Sequence, residues 1–282
     1  MHHDDHHEHE GLAQDLKTMA IDRRRILQLL AGAGLAPLVG CGSAFSNAPA
    51  AGSGGSSSGV AGSAADTAGS SSTGSCAKIP EETAGPYPGD GSNGPNVLNL
   101  SGIVRSDIRS SFDSLSGTAA GIPLRIKLNL VDVKAGCSTL PGAAIYLWHC
   151  DRDGKYSLYT VTNQNYLRGI QETDDDGSVT FTSIFPACYS GRWPHIHFEI
   201  YPSLADAMSV GNKLATSQLA LPVAACNAVF ATDGYSQSVA NLKQVSLTSD
   251  MVFRDGTTLQ IPTVTGNVTD GYQITLTVGV NV

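Results

Sequence analysis

The stretch C-Y-S-G-R-W-P-H-I-H-F-E-I-Y, residues 188–201, concentrates side chains that bind metals and meet developing charge. Read as an extended strand, it puts His195 and His197 on one face while Ile196 and Phe198 alternate with them. Two imidazoles then converge on one point. Tyr189 lies upstream of His195 across a Ser-Gly turn, and Arg192 stands between the two. Two neutral nitrogen ligands, a phenol that a metal could ionise and a cation to meet a developing anion make the residue set of a hard-metal site. By itself an H-x-H pair is also compatible with two half-buried, hydrogen-bonding histidines. Its weight rises because five of the eight histidines fall in the first ten residues, leaving His149, His195 and His197 for the rest of the chain.

Such a motif needs rigid elements around it, and the pattern supplies strands. Leu124 to Val133 alternates, with Leu124, Ile126, Leu128 and Leu130 on one face and Arg125, Lys127 and Asn129 on the other. After a turn at Pro141-Gly142, residues 143–149 are more continuously apolar. Further strands are expected at 178–184 and 195–201, and residues 272–280 keep a period of two through Tyr272, Ile274, Leu276, Val278 and Val280. Asp153-Gly154 and Asp174-Asp175-Asp176-Gly177 read as tight hairpin turns followed by strand-like sequence. A calcium loop at the acidic triplet lacks its long remainder and closing Glu. Short helical pieces fit near 204–208 and 238–245. The expected class is all-β, an antiparallel β-sandwich with short helices and long loops.

Composition divides the chain unevenly. Residues 22–41, D-R-R-R-I-L-Q-L-L-A-G-A-G-L-A-P-L-V-G-C, place a basic cluster before an apolar run too short and too weakly hydrophobic to span a bilayer. Residues 1–40 are therefore expected to be an export signal, with Arg23 and Arg24 resembling the twin-arginine type and L-V-G-C resembling a lipobox that makes Cys41 a lipidated residue. The acid-interrupted histidine tract at the start would leave with the signal. Residues 41–75 are a Gly/Ser-rich tether that cannot bury enough apolar surface to fold. Residues 76–282 form one domain, opening on a Gly- and Pro-dense segment suited to lie over a surface. The formal net charge of -8 comes with no basic patch, so nucleic acid is set aside as a partner. Five cysteines besides Cys41 suit an exported protein and leave at least one thiol unpaired; a Cys188–Cys226 bridge is the expected pairing.

Four segments in order carry a family resemblance: E-T-A-G-P-Y (82–87), P-G-A-A-I-Y-L-W-H-C-D-R-D-G-K-Y (141–156), Y-L-R-G-I-Q-E-T-D-D-D-G (166–177) and G-R-W-P-H-I-H-F (191–198). Together they resemble the intradiol ring-cleavage dioxygenases, most nearly an exported bacterial branch. The resemblance implies a β-sandwich holding non-haem Fe(III), with Tyr156 and Tyr189 as phenolate ligands and His195 and His197 as imidazole ligands. It also implies that Arg192 stabilises the ionised substrate, that Gln218 is a pocket glutamine, and that a small aromatic diol is opened with O2 to a muconate-type dicarboxylic acid. A phenol titrates near pH 10 in water, and a trivalent ion at bonding distance is what would hold it ionised at neutral pH. Two departures stand out: a short interval from Tyr189 to His195 and a diverged segment after Tyr201. His149 fits either a role beside the metal or the end of a strand. The competing class is a lipid-tethered binding module that keeps the sandwich without catalysis. Oligomeric state is left open, a homodimer included.

Overall fold

A computed structural model describes residues 76–209 and 212–282. The signal, the lipidated Cys41 and the tether expected over residues 1–75 lie outside the described residues. The strands are β1 (Pro123–Asp132), β2 (Ser138–Thr139), β3 (Ala144–Trp148), β4 (Arg168–Glu172), β5 (Ser178–Ile184), β6 (His195–Tyr201), β7 (Ala215–Ala220), β8 (Thr263–Asn267) and β9 (Gly271–Val280). The α-helices are α1 (Val223–Phe230) and α2 (Ser236–Leu242), with 3-10 turns at Asp206–Met208 and Phe253–Asp255.

One sheet runs β2-β1-β9-β8 with β5 also paired to β1, and the other runs β4-β3-β6-β7. The fold is the expected all-β sandwich. Its ladders are antiparallel except that β1 and β9 run parallel, in register from Leu124 opposite Tyr272 to Asp132 opposite Val280. Leu124, Ile126, Leu128 and Leu130 of β1 share one core with Ile145 and Leu147 of β3 and Ile196, Phe198 and Ile200 of β6.

Every residue of β3 and β6 is buried, because both faces of these strands are covered. The outward face meets a second apolar cluster in which Val97, Leu98, Ile103 and Phe112 pack on Tyr146, Trp148 and Tyr201. The long chain entering the domain thus lies over the second sheet, which explains the unbroken apolar run at β3. Segment 80–83 also shields the edge strand β7: Glu82 N donates to Thr216 O (2.8 Å) and Thr216 N to Glu81 Oε2 (3.0 Å).

Four expectations need correction. The Asp174–Gly177 turn forms, with Asp174 Oδ1 accepting from Asp176 N (3.1 Å) and Ser178 N (2.8 Å), but it joins strands of different sheets and so makes no hairpin. Turn chemistry dictates a local reversal, whereas the pairing partner follows from which faces bury. The Asp153-Gly154 turn leads into another loop, since the next strand begins at Arg168. Helix α1 was not anticipated: V-A-A-C-N-A-V-F is short, nearly uniformly apolar and holds a β-branched valine near each end, so it shows no helical stripe.

The fourth correction is the disulfide. Cys188 and Cys226 are buried free thiols, whereas Cys76 is bonded to Cys137. The bridge fastens the start of the domain, where Ile79 N donates to Gly279 O (2.8 Å), to the turn after β1. Closing a loop of separation 61 restricts the unfolded chain by about 4 kcal/mol in the chain-entropy model.

His149 faces away from the other two histidines. Its Nδ1 lies 2.7 Å from Cys150 O and its Nε2 2.6 Å from Ser183 Oγ, tying β3 to β5 of the opposite sheet. Burial pushes its pKa down to about 4. Between about pH 6.5 and 4 the unfolded chain therefore binds a proton that the fold refuses, and the neutral ring's contribution is lost as pH falls through that window. Denaturant titrations should show the stability gap between the parent and His149→Gln shrinking by about 3 kcal/mol from pH 7 to 4. A gap independent of pH would mean that His149 is not held neutral.

Candidate functional site

The site forms on the covered face of the second sheet, because alternation along β6 sends His195, His197, Glu199 and Tyr201 there and the apolar residues inward. Four polar groups on a buried face must find partners. Glu199 and Tyr201 do so: Tyr201 Oη donates to Glu199 Oε2 (2.6 Å), and Lys213 Nζ reaches Glu199 Oε1 (2.7 Å) and Asp90 Oδ2 (3.3 Å). The two histidines instead turn toward each other, with Nε2 atoms 3.1 Å apart.

His195 Nδ1 lies 2.5 Å from Trp193 O, and a carbonyl can only accept, so Nδ1 carries the hydrogen and Nε2 the lone pair. The lone pair therefore points at the shared space. Tyr189 Oη is 3.3 Å from the same Nε2. The ring of Tyr156 completes the group, 6.1 Å from that of Tyr189 and 6.2 Å from that of His197. Burial holds both imidazoles well below their usual pKa; the Arg192 charge adds to this at His195, and neighbouring His195 and Arg192 do so at His197. Both are thus neutral at physiological pH, the form in which histidine binds metal.

Different elements hold each member. In register, His197 lies opposite Trp148 on one side and Gln218 on the other, and the indole of Trp148 stacks parallel on the His197 ring at 5.0 Å. Tyr156 sits in the loop between β3 and β4, anchored by a turn in which its carbonyl accepts from Thr160 N (2.9 Å) and Val161 N (3.1 Å). Buried Asp151 shapes the preceding turn by accepting from Asp153 N (2.9 Å), Lys155 N (2.9 Å) and Tyr166 Oη (3.0 Å). Gly154 in that turn has φ +79°, and an added Cβ would lie 3.0 Å from the Cβ of Tyr189, so the two tyrosine-bearing loops meet at a glycine.

Arg192 is wholly buried. Its Nε pairs with Asp250 Oδ2 (3.0 Å) and its Nη2 donates to Gln218 Oε1 (2.7 Å), while Gln218 Nε2 donates to Thr83 O (2.8 Å). Asp250 also accepts from the amides of Trp193, Val252 and Phe253. The guanidinium is therefore preorganised beside the histidines.

Among the described residues no three His, Cys, Asp or Glu side chains gather as a metal cluster. A metal here would have to draw on the tyrosines, and two imidazole nitrogens with two phenols are a donor set suited to a trivalent ion.

No family model matches the chain, and no curated protein matches it. Among solved structures, an intradiol ring-cleavage dioxygenase from Tetranychus urticae superposes with a TM-score of 0.56 at 26% identity, covering 73% of this chain and 95% of that one. By structure the chain is similar to the intradiol ring-cleavage dioxygenases. The dioxygenase domain of a dioxygenase and carbohydrate-binding protein fusion from Streptomyces sp. SirexAA-E is also similar, at 22% identity and a TM-score of 0.47 over 73% of this chain and 99% of that one.

Within this intradiol dioxygenase fold, Tyr156, Tyr189, His195 and His197 come together, and Arg192 and Gln218 touch each other directly behind them. The short interval from Tyr189 still lets its phenol reach His195. Sequence reasoning missed Asp250, Trp148 and Tyr87. Tyr87 packs its ring on Tyr156 at 4.8 Å, and its place in E-T-A-G-P-Y was the available signal. Trp148 lay in the strand leading to Tyr156, where an aromatic reads as core. Nothing near Asp250 announced a partner for Arg192.

Proposed function

We propose that the chain is a non-haem Fe(III) intradiol dioxygenase that opens a catechol-type ring between its two hydroxylated carbons, placing both atoms of O2 in a muconate-type dicarboxylic acid. The observation carrying this reading is the convergence on His195 Nε2 of His197 Nε2 at 3.1 Å and Tyr189 Oη at 3.3 Å, with Tyr156 against them. Tyr156, Tyr189, His195 and His197 would hold the iron, which when bound supplies a Lewis acid that keeps phenols and the diol ionised at neutral pH.

The chain's own residues do the rest. His195 presents its Nε2 lone pair, His197 would turn its Nε2 to the same point, and the Trp148 indole on His197 keeps that ring oriented and dry. Tyr189, on a Ser-Gly turn, would have room to move aside for a substrate that binds through two oxygens, and its phenol oxygen would be placed to take one diol proton. Arg192, locked by Asp250 and Gln218, meets negative charge where it develops on the substrate. A sandwich that served only to bind would have no reason to bury two unprotonated imidazoles, nitrogen toward nitrogen, beside two phenols.

Purified protein should contain about one iron per chain and show a reddish absorption band from phenolate-to-Fe(III) charge transfer. Colourless protein that holds zinc, or that takes up no metal on iron reconstitution, would sink the assignment. We also read Cys41 as the lipid anchor, placing the enzyme on the outer side of the cytoplasmic membrane or at the cell surface. Cys41→Ala should move it to the soluble fraction, since buried acyl methylenes provide the membrane affinity; an unchanged membrane fraction would refute the anchor.

A further inference from the structure

Tyr156 lies outside the sheet, so its ring direction depends on whatever fixes its loop. The residue after it is gripped from β4. Arg168 is 1% exposed, and its guanidinium donates Nε to Ser157 Oγ (3.1 Å) and Nη2 to Ser157 O (3.0 Å). Two of the remaining N–H groups reach the covering segment, Nη2 to Tyr87 O (2.9 Å) and Nη1 to Pro88 O (2.7 Å), and the last goes from Nη1 to Tyr146 Oη of β3 (3.1 Å). All five guanidinium donors are used, and all five acceptors are neutral oxygens.

The two segments gripped are those carrying Tyr156 and Tyr87, whose rings pack together. Gly89 lets the covering segment come this close: at φ +68° a Cβ there would stand 2.8 Å from Arg168 Nη1. Register puts Arg168 opposite Trp148, which is itself opposite His197, so one cross-strand row links the guanidinium to a histidine of the site. Desolvating a cation without a carboxylate is costly, and a buried Lys or Gln would have fewer donors and no planar fork.

We propose that Arg168 is a positioning residue of this site, aligning Tyr156 and Tyr87 through Ser157 and Pro88 so that both rings face the histidine pair. The proposal rests on the reading of Tyr156 as a metal ligand, and its test separates the two. Amide hydrogen exchange would be followed by mass spectrometry on the full chain, iron-free and iron-loaded, for the parent and for Arg168→Lys.

In the iron-free variant, exchange at Thr160 and Val161, whose N–H groups bond to Tyr156 O, and at Val97, bonded to Gly89 O, should rise at least about tenfold while β1 and β6 stay protected. In the iron-loaded variant the colour band should weaken or move. Unchanged protection at those amides would overturn the proposal, and so would a rise spread equally over β1 and β6, which would mark a residue that merely holds the fold. If Arg168→Lys does not fold, Ser157→Ala, which deletes one of the five acceptors, should show the same local pattern at smaller size; no change or a uniform change there would overturn the proposal as well. A parent without the band but with the local exchange pattern in the variant would sink the iron reading and leave the positioning role standing.

Discussion

Tyr156→Phe is expected to remove most of the colour and most of the turnover together, whereas Tyr189→Phe still binds a catechol and fails in later steps. The two phenols belong to one site but differ in how they are held. Tyr156 is 2% exposed, its carbonyl is tied into a turn, its ring packs on Tyr87, and the next residue is fastened to the body of the protein. If Tyr156 holds the iron as proposed, losing its oxygen would remove a bond that nothing around it is built to loosen. Tyr189 is half-buried and followed by Ser190 and Gly191, the latter at φ 81°, with one backbone bond closing the turn from Arg192 N to Tyr189 O (3.3 Å). Under the proposed function, such a turn would let the ring move out for a bidentate substrate and return for product release. Rapid-mixing spectra of both variants with a catechol decide the matter: formation of the substrate complex by Tyr156→Phe but not by Tyr189→Phe would reverse the roles.

Arg192→Ala should retain iron and colour yet lose turnover on the order of a hundredfold or more, about 3 kcal/mol, comparable to deleting one preorganised donor to developing charge. The structure adds a second effect. Arg192 and Asp250 are both fully buried, so the single change also strands a carboxylate and should cost stability, on the order of 3 kcal/mol. Combining it with Asp250→Asn should recover part of that stability, because the unpaired charge is gone even though the carboxamide NH2 then faces a backbone N–H that the carboxylate accepted, while turnover stays low. Recovery of activity along with stability would mean that the arginine serves the fold rather than the substrate. Loss of iron in the single variant would move it from catalysis to the structure of the metal site.

Much of the site could be read from local pattern. The period of two along residues 195–201 put both histidines on one face, and the same alternation located β1, β5, β6 and β9 to within a residue or two, because side-chain direction in a strand is decided by the neighbouring residues alone. The strands β4, β7 and β8 escaped notice. R-G-I-Q-E, A-T-S-Q-L-A and T-V-T-G-N carry weak alternation, and pairing with an existing sheet edge is what makes them strands. Tyr156 as a ligand came from resemblance and not from its surroundings in the chain, since a tyrosine after an Asp-Gly turn has many uses.

What decided the rest was contact across long separations. Arg192 meets Asp250 at a separation of 58, Gln218 meets Thr83 at 135, and Arg168 meets Pro88 at 80. None of these pairs leaves a mark in local periodicity. The last two exist because the segment before β1 is laid over a sheet that already buries its other face, and the first because the segment after the second α-helix closes over the turn before β6, so polar groups trapped in both places had to be satisfied by another part of the chain. Cys76 found Cys137, and not the pair Cys188–Cys226, for the same reason: closing the fold, not spacing along the chain, determined which sulfurs came within reach. Residue types and strand period were thus enough to bring His195, His197, Tyr189 and Arg192 forward as one candidate site, while its geometry, and the side chains that hold that geometry, follow from burial and from the closure of long loops.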